Sequence, residues 1–242
     1  MSELLTINGL TKRFGGLAAV NAVSFSVAKG EVVGLLGPNG SGKTTVMNMI
    51  SGHLPPTSGT IALGNETISG LLPNRIALKG VSRTFQLVRG LPSLTVAENV
   101  IAALAFGRRR LWGETARREA LLRLDEVGLA HRANQLAQQL TYIDQKRMEL
   151  ARALALEPEL LLLDEWLAGL NPTELRTGID LIDTIRKRGV TILMVEHVMD
   201  AIRALCGRCV VMNAGRKIAD GPTAEALADR EVITAYLGEA HA

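Results

Sequence analysis

The sequence predicts an α/β protein whose parallel β-sheet carries helices on both faces, with an antiparallel β subdomain at the start and an α-helical subdomain inserted in the middle. Two observations predict this fold. Short apolar runs such as Leu160–Leu163 and Thr191–Val195 alternate with longer stretches of helical periodicity, which is typical of parallel strands joined by helices. Between Gln86 and Leu140 the strand pattern is replaced by apolar residues at helical spacing alone, which indicates a separate helical unit.

The first part of the chain contains three predicted strands. Leu4–Ile7 and Val23–Val27 are apolar over strand lengths, and Gly30 ends the second segment; we expect these two to form the antiparallel edge material. The run Glu31–Leu36 then leads into a glycine-rich loop, and a helical pattern follows as far as Ser51. The order strand, loop, helix is therefore predicted around residue 40.

The rest of the chain supplies the helical unit and the remaining strands. Helices are predicted at Thr95–Phe106 and Glu114–Val127, with Gly128 as a stop. The later elements are a helix at Asp144–Leu156, a strand at Leu160–Leu163, a helix at Leu175–Arg188, a strand at Thr191–Val195, a helix from Met199 and a strand at Cys209–Met212.

Composition excludes several classes of protein. The chain has 242 residues, is 47% hydrophobic and carries 27 basic against 24 acidic residues, for a net charge of +3. This balance is too even to indicate a nucleic-acid partner from composition alone, and the partner must be inferred from motifs. The most apolar stretch, Leu154–Leu170, is interrupted by acidic residues, so no membrane-spanning helix is predicted. The N-terminus lacks the basic start and apolar core of a secretion signal, and the expected compartment is the cytoplasm.

Residues Gly37 to Thr44 match the pattern G-x-x-x-x-G-K-S/T in full, between a predicted strand and a predicted helix. Glycines let the backbone wrap a phosphate, and the helix N-terminus adds positive potential. Lys43 is expected to neutralise the β- and γ-phosphates, and the Thr44 hydroxyl is expected to bind Mg²⁺. The sequence thus predicts a nucleotide phosphate site.

A second carboxylate-bearing segment completes this site. The buried strand at Leu160–Leu163 ends in Asp164 and Glu165, and a parallel sheet brings such residues to the same edge as the phosphate loop. Asp164 is predicted to hold Mg²⁺, and Glu165 to polarise the water that attacks the γ-phosphate.

With these motifs in place, the chain resembles the ATP-binding cassette family over nearly its whole length. Phe14 matches the aromatic residue that stacks on adenine, and Gln86 matches the glutamine that senses Mg²⁺ and couples to membrane subunits. His197, after a predicted strand, matches the histidine that contacts the γ-phosphate. The resemblance implies a P-loop NTPase (RecA-like) core.

The segment Leu140–Arg147 resembles the family signature, usually L-S-G-G-Q, which contacts the ATP of a second cassette. Thr141 is also a good helix cap, with Asp144 three residues later in the pattern of a capping box, so a plain helix start is an alternative. Ile143 replaces the second glycine. We expect its branched side chain to resist a positive φ, and Asp144 to add negative charge, so that the composite site closes poorly.

In three further features the chain looks most like the ATPases of branched-chain-amino-acid-type importers: the signature with Tyr142, the pair Asn171-Pro172 in a loop that resembles the dimer-interface loop, and the ending Ala235–Glu239. Related cassettes serve urea, amides and aromatic acids, and a lipopolysaccharide-export ATPase has a similar ending. Trp166 departs from this family, which usually has proline after the two carboxylates.

The resemblance implies an ATPase that uses ATP and Mg²⁺ to energise solute import. The implied partners are membrane-spanning permease subunits, a second cassette and a solute-binding protein, with the chain peripheral on the cytoplasmic side of the inner membrane. The alternatives are a soluble cassette ATPase that acts on nucleic acid, or a regulatory cassette with weak hydrolysis.

The predicted domain and site residues are as follows. We expect one nucleotide-binding domain over residues 1–242, with residues 1–86 and 155–242 as the ATP-binding lobe and residues 87–154 as the helical subdomain. The predicted catalytic residues are Glu165, His197 and Gln86, and the predicted metal ligands are Thr44, Gln86 and Asp164. The predicted nucleotide-binding residues are Phe14, Gly37, Pro38, Asn39, Gly40, Ser41, Gly42, Lys43, Thr44, Thr45, Thr141 and Ile143.

Overall fold

Two β-sheets and nine α-helices make up the part of the chain that the computed structural model describes, residues 2–237. The strands are β1 (Glu3–Phe14), β2 (Leu17–Ala28), β3 (Val32–Leu36), β4 (Ser58–Leu63), β5 (Glu66–Thr67), β6 (Val81–Arg83), β7 (Leu160–Asp164), β8 (Thr191–Val195), β9 (Arg208–Asn213) and β10 (Arg216–Pro222). The helices are α1 (Lys43–Ile50), α2 (Pro73–Leu78), α3 (Val96–Phe106), α4 (Gly113–Glu126), α5 (Tyr142–Ala155), α6 (Pro172–Lys187), α7 (Met199–Leu205), α8 (Thr223–Ala228) and α9 (Arg230–Leu237).

The larger sheet has six strands in the order β10-β9-β3-β8-β7-β6. All neighbours in it are parallel except β10, which pairs antiparallel with β9 at one edge. Every residue of β3, β7 and β8 is buried. Strands covered on both faces read as continuous apolar runs, and this is why the sequence located these three correctly. The predicted parallel sheet is confirmed.

This sheet separates two apolar clusters. Leu161 and Leu163 join the cluster formed with α3 to α7, whereas Leu160 and Leu162 join the cluster formed with α1 and the smaller sheet. Successive side chains of a strand point to opposite faces, so one five-residue strand stabilises both halves of the core.

The smaller sheet is antiparallel, with strand order β2-β1-β4-β5. The two predicted N-terminal strands are confirmed but are longer than predicted, 12 residues each. The sequence analysis did not identify β4 and β5. Their residues are largely exposed and only β4 contributes buried side chains, so they lack the apolar run on which the prediction depended.

The helical region contains α3, α4 and α5, which pack on one another. Thr95 caps α3 in a reciprocal capping box with Glu98, and Gly128 has a φ of 74° just after α4. The sequence analysis used the helical spacing of apolar residues and the stop at Gly128, and the predicted bounds of α3 and α4 lie within two residues of the observed ones. The chain ending at Ala235–Glu239 lies partly outside the described residues.

Candidate nucleotide site

The loop of residues 37–42 connects β3 to α1, as predicted. Gly37 has a φ of 141°, and a Cβ there would lie 2.0 Å from the backbone oxygen of Met212. Gly42 has a φ of 105°, and a Cβ there would lie 2.6 Å from the backbone oxygen of Ala19. Any other L-residue would combine an unfavourable backbone conformation with a clash, so the fold itself requires both glycines.

Lys43 is the first residue of α1 and is buried beneath this loop. Its Nζ donates to the backbone oxygen of Gly37 at 2.6 Å and to that of Pro38 at 2.9 Å. These bonds hold the ammonium group against the loop, and they bring a positive charge to the position that the motif predicts.

The start of α1 fits a bound phosphate. Its N-cap, Gly42, supplies no side-chain hydrogen bond to the first backbone N–H groups, and the first turn has no acidic residue. The Ser41 hydroxyl is buried without a hydrogen-bond partner among residues 2–237. Uncapped N–H groups at a helix N-terminus attract anions. Thr44 and Thr45 follow in the first turn, where Thr44 is exposed.

The three predicted catalytic residues lie together. Gln86 Nε2 donates to Glu165 Oε2 at 2.7 Å, and His197 Nε2 lies 3.2 Å from Glu165 Oε1. They follow β6, β7 and β8, which are adjacent parallel strands and therefore end at one edge of the sheet. Glu165 has a φ of 50°, a left-handed conformation that is uncommon for a glutamate and often marks a functional position.

Asp164 is buried at the end of β7, and its carboxylate is paired with a residue that the sequence analysis missed. Arg83 Nη2 donates to Asp164 Oδ2 at 2.7 Å, and each side chain is 5% exposed. Arg83 Nη1 also donates to Asn48 Oδ1 and Ser51 Oγ on or beside α1. The predicted metal ligand is thus anchored to the helix that follows the phosphate loop. Arg83 belongs to a three-residue strand, which is too short for its pattern to be recognised.

Replacing Arg83 with methionine is expected to lower the free energy of unfolding by about 3–5 kcal/mol, because it leaves the buried Asp164 carboxylate without its counter-charge. Urea unfolding without nucleotide measures this. Arg109→Met is the matched control, since Arg109 is 49% exposed and pairs with Glu157 and, at 3.8 Å, with Glu119, and such exposed pairs are expected to contribute below about 1 kcal/mol each. Equal losses in the two variants would contradict the assignment.

Phe14, predicted to stack on adenine, lies at the end of β1 with its side chain 49% exposed. Its backbone pairs with Leu17 across the β1–β2 hairpin. Ala19 and Val20 of the same hairpin border Gly42 of the phosphate loop. The ring is therefore accessible, on a hairpin that lies beside the loop.

Thr141 and Ile143 lie at the start of α5. Thr141 is the N-cap, and its hydroxyl accepts from the Asp144 backbone N–H at 3.4 Å. The reciprocal bond of a capping box is replaced, because the Thr141 hydroxyl donates to Asp144 Oδ2 at 2.8 Å. Within residues 2–237 this hydroxyl has hydrogen bonds to Asp144 alone, so it makes no hydrogen bond to Glu165 or to the two residues beside Glu165.

Two of the reasons for expecting the composite site to close poorly at Ile143 are wrong. Ile143 is an ordinary residue of α5 and is not one of the positive-φ residues in the described chain, so no backbone strain arises there. Asp144 does not present free negative charge, because Arg132 and Arg147 lie 3.2 Å and 3.5 Å from its carboxylate oxygens. Of the reasons for expecting poor closure of the composite site, only the bulk of the Ile143 side chain is left.

The chain is similar to known protein families and to individual proteins of known name. Residues 20–168, more than half of the chain, match the family described as ABC transporter. Residues 216–242 match the family described as branched-chain amino acid ATP-binding cassette transporter. The high-affinity branched-chain amino acid transport ATP-binding protein LivG of Salmonella typhimurium is 43% identical, over 98% of each chain.

Solved structures agree in fold. The ADP conformation of MJ1267, an ATP-binding cassette of an ABC transporter, has a TM-score of 0.89 at 30% identity, covering 98% of this chain and 100% of that one. The dimeric structure of a post-hydrolysis state of the ATP-binding cassette MJ0796 bound to ADP and Pi has a TM-score of 0.82 at 27% identity, covering 90% and 98%.

Proposed function

Since this chain belongs to the ABC transporter family of ATP-binding proteins, we propose that it hydrolyses ATP to energise the import of branched-chain amino acids. The observation that carries the proposal is the convergence of Gln86, Glu165 and His197 at the sheet edge that also bears the phosphate loop. The 43% identity to LivG, together with the C-terminal match, supports the choice of cargo.

The chain's own residues would bind both ends of the ATP molecule, the phosphates and the adenine. The loop of residues 37–42, the N–H groups at the start of α1 and Lys43 would hold the phosphates. Phe14 would stack on adenine from the hairpin beside the loop. Thr44, Gln86 and Asp164 are the residues that would hold Mg²⁺, and the ion supplies neutralisation of charge on the phosphate oxygens.

Glu165 would orient the attacking water and accept its proton. The water oxygen bonds to the γ-phosphorus as the bond to the bridging oxygen breaks, which yields ADP and phosphate. Both Glu165 oxygens have neighbours here, one bonded to Gln86 and one 3.2 Å from His197. Each carboxylate oxygen can accept a second hydrogen bond, so Glu165 could engage water while Gln86 and His197 hold its orientation.

Phe85, the residue before Gln86, lines a groove that would suit a permease segment. The groove has a volume of about 330 Å³ and is lined by polar and aromatic side chains, among them His53, Arg83, Phe85, Arg89, Glu149 and Arg152. The guanidinium groups of Arg83 and Arg89 lie 5.0 and 4.2 Å from the centre of the Phe85 ring. Leu87, two residues after Phe85 in the chain, is 79% exposed.

Burial raises the pKa of Glu149 in the groove wall above its ordinary value. Arg83 is paired with Asp164, but Arg89 and Arg152 still outnumber Glu149 in the groove wall, so the groove would favour a short amphipathic segment that carries a carboxylate.

Membrane attachment would be indirect. Among residues 2–237 no helix combines the length and the apolar character needed to cross a bilayer. In the proposal, permease subunits hold two cassettes on the cytoplasmic face of the membrane, and a solute-binding protein delivers the amino acid. Thr141, Ile143 and the exposed Asn171 loop would face the second cassette.

Reconstitution of the complex purified from membranes tests this proposal. We expect permease subunits to co-purify, and leucine, isoleucine or valine with the solute-binding protein to stimulate ATP hydrolysis by the complex in proteoliposomes. Urea and an aromatic acid are the control solutes. Stimulation by those solutes alone would overturn the choice of cargo. Stimulation by nucleic acid, with no membrane subunit, would favour a soluble cassette ATPase, and hydrolysis that stays weak under every condition would favour a regulatory cassette.

A further inference from the structure

Trp166 and Lys146 form a reciprocal contact beside the catalytic turn, residues 165–168. Lys146 is a residue of α5, and its side chain is only 1% exposed. Its Nζ donates to the backbone oxygens of Glu165 at 3.1 Å, Trp166 at 2.9 Å and Ala168 at 2.9 Å. In return, the Trp166 indole N–H donates to the backbone oxygen of Lys146 at 3.1 Å. We refer to this pair as the Lys146–Trp166 clamp.

The catalytic turn needs such support. Glu165 begins it in a left-handed conformation, and a non-glycine residue stays in that region only where surrounding contacts over-determine it. A lysine ammonium has three donors, and the three backbone oxygens use all of them. Hydrogen bonds from a charged donor are stronger than neutral ones, so Lys146 fixes both ends of the turn.

The buried charge of Lys146 has a counterpart on the other side of the turn. Glu196 is buried, and its Oε1 accepts from the Leu167 backbone N–H at 2.6 Å. Burial raises the pKa of Glu196 to about 7, and the hydrogen bond from Leu167 and the charge of Lys146 oppose this rise. Three backbone oxygens of the turn thus accept hydrogen bonds from Lys146, and one backbone N–H of the turn donates to Glu196. Neither of these residues belongs to the turn itself.

We propose that Lys146 is a positioning residue for ATP hydrolysis, which fixes the backbone of Glu165 through the clamp and thereby ties the catalytic carboxylate to α5. Thr141 and Ile143 lie at the start of the same helix, within about a turn and a half of Lys146, so a displacement of this end of α5 moves the backbone that carries Glu165. The proposal rests on the proposed ATPase activity. It also gives Trp166 a role that proline cannot fill, because proline has no side-chain N–H to donate.

The test compares Lys146→Met and Lys146→Arg in the full-length chain. We expect Lys146→Met to lower kcat about ten- to a hundredfold, because a small misplacement of a catalytic group has effects of this size. KM and the Kd of a fluorescent ATP analogue should change less than about threefold, since the clamp does not touch the phosphate loop. Lys146→Arg, which keeps charge and donors, should restore most of kcat. Lys187→Met, at a lysine 68% exposed on α6, is the control and should match wild type.

Two further variants separate positioning from general destabilisation. Trp166→Phe keeps an aromatic ring, though a smaller one, and removes the N–H donor, so kcat should fall several-fold with KM unchanged. This variant decides the matter if Lys146→Met fails to fold. In a Glu165→Gln background, Lys146→Met should cause no further loss, because the two changes act on one group.

Wild-type kcat in both Lys146→Met and Trp166→Phe would overturn the proposal. A parallel fall of kcat, ATP affinity and thermal stability would do so as well. Hydrolysis by the wild-type chain would leave the proposed function standing in either case.

Discussion

Glu165→Gln is expected to bind ATP with wild-type affinity and to hydrolyse it about 10²–10⁴-fold more slowly, the range that general acid–base catalysis contributes. The amide keeps the shape of the side chain, and its oxygen can still accept the hydrogen bond that Gln86 donates. What is lost is the carboxylate that takes a proton from water. Phosphate release under saturating ATP gives kcat, and equilibrium binding of a fluorescent ATP analogue gives the affinity.

The control is Glu225→Gln, at an exposed acid in the first turn of α8, which should behave as wild type. Two results would remove Glu165 from its proposed role. One is an unchanged kcat, and the other is a loss of ATP binding as large as the loss of turnover, which would mean that Glu165 acts on the ground state.

Lys43→Ala is expected to weaken ATP binding at least roughly 30-fold, about 2 kcal/mol, the lower end of what truncating one partner of a buried charge pair costs. The ammonium is held by Gly37 and Pro38 at the phosphate loop, so its removal takes a charge from the place where the β- and γ-phosphates would lie. Equilibrium titration with ATP measures the effect, and added salt should reduce the difference from wild type.

Lys29→Ala provides the comparison, because Lys29 is exposed in the turn after β2 and should not affect ATP affinity. Thermal unfolding without nucleotide shows whether the loop is intact, since Lys43 also bonds to the loop. Wild-type affinity in a folded Lys43→Ala protein would be incompatible with the loop as the phosphate site.

Much of the fold was predictable because its signals are local. The runs in β3, β7 and β8 are apolar throughout, and strands of that kind are buried on both faces. The helices of the middle region carry a capping box at Thr95 and a stop at Gly128. By contrast, β4, β5 and β6 were missed because they are short or largely exposed, and such strands form only through pairing with distant segments.

The errors at the start of α5 have the same origin. From sequence, Asp144 reads as an unpaired negative charge, but Arg132 and Arg147 lie beside it. Arg132 is twelve residues away on a 3₁₀ turn, and no local pattern predicts that contact. The roles assigned to Thr141 and Ile143 stay predictions, since they concern a second cassette.

Periodicity and a contiguous motif are encoded over a few neighbouring residues, so the α/β class, the glycine-rich loop at residues 37–42 and the family could be predicted from the sequence. The way in which the site is held depends on tertiary contacts. The tertiary structure pairs Arg83 with Asp164 across 81 positions, Gln86 with Glu165 across 79, and Trp166 with Lys146 across 20. Such contacts depend on which strands become neighbours and on how helices pack against them. A local sequence pattern carries no information about either.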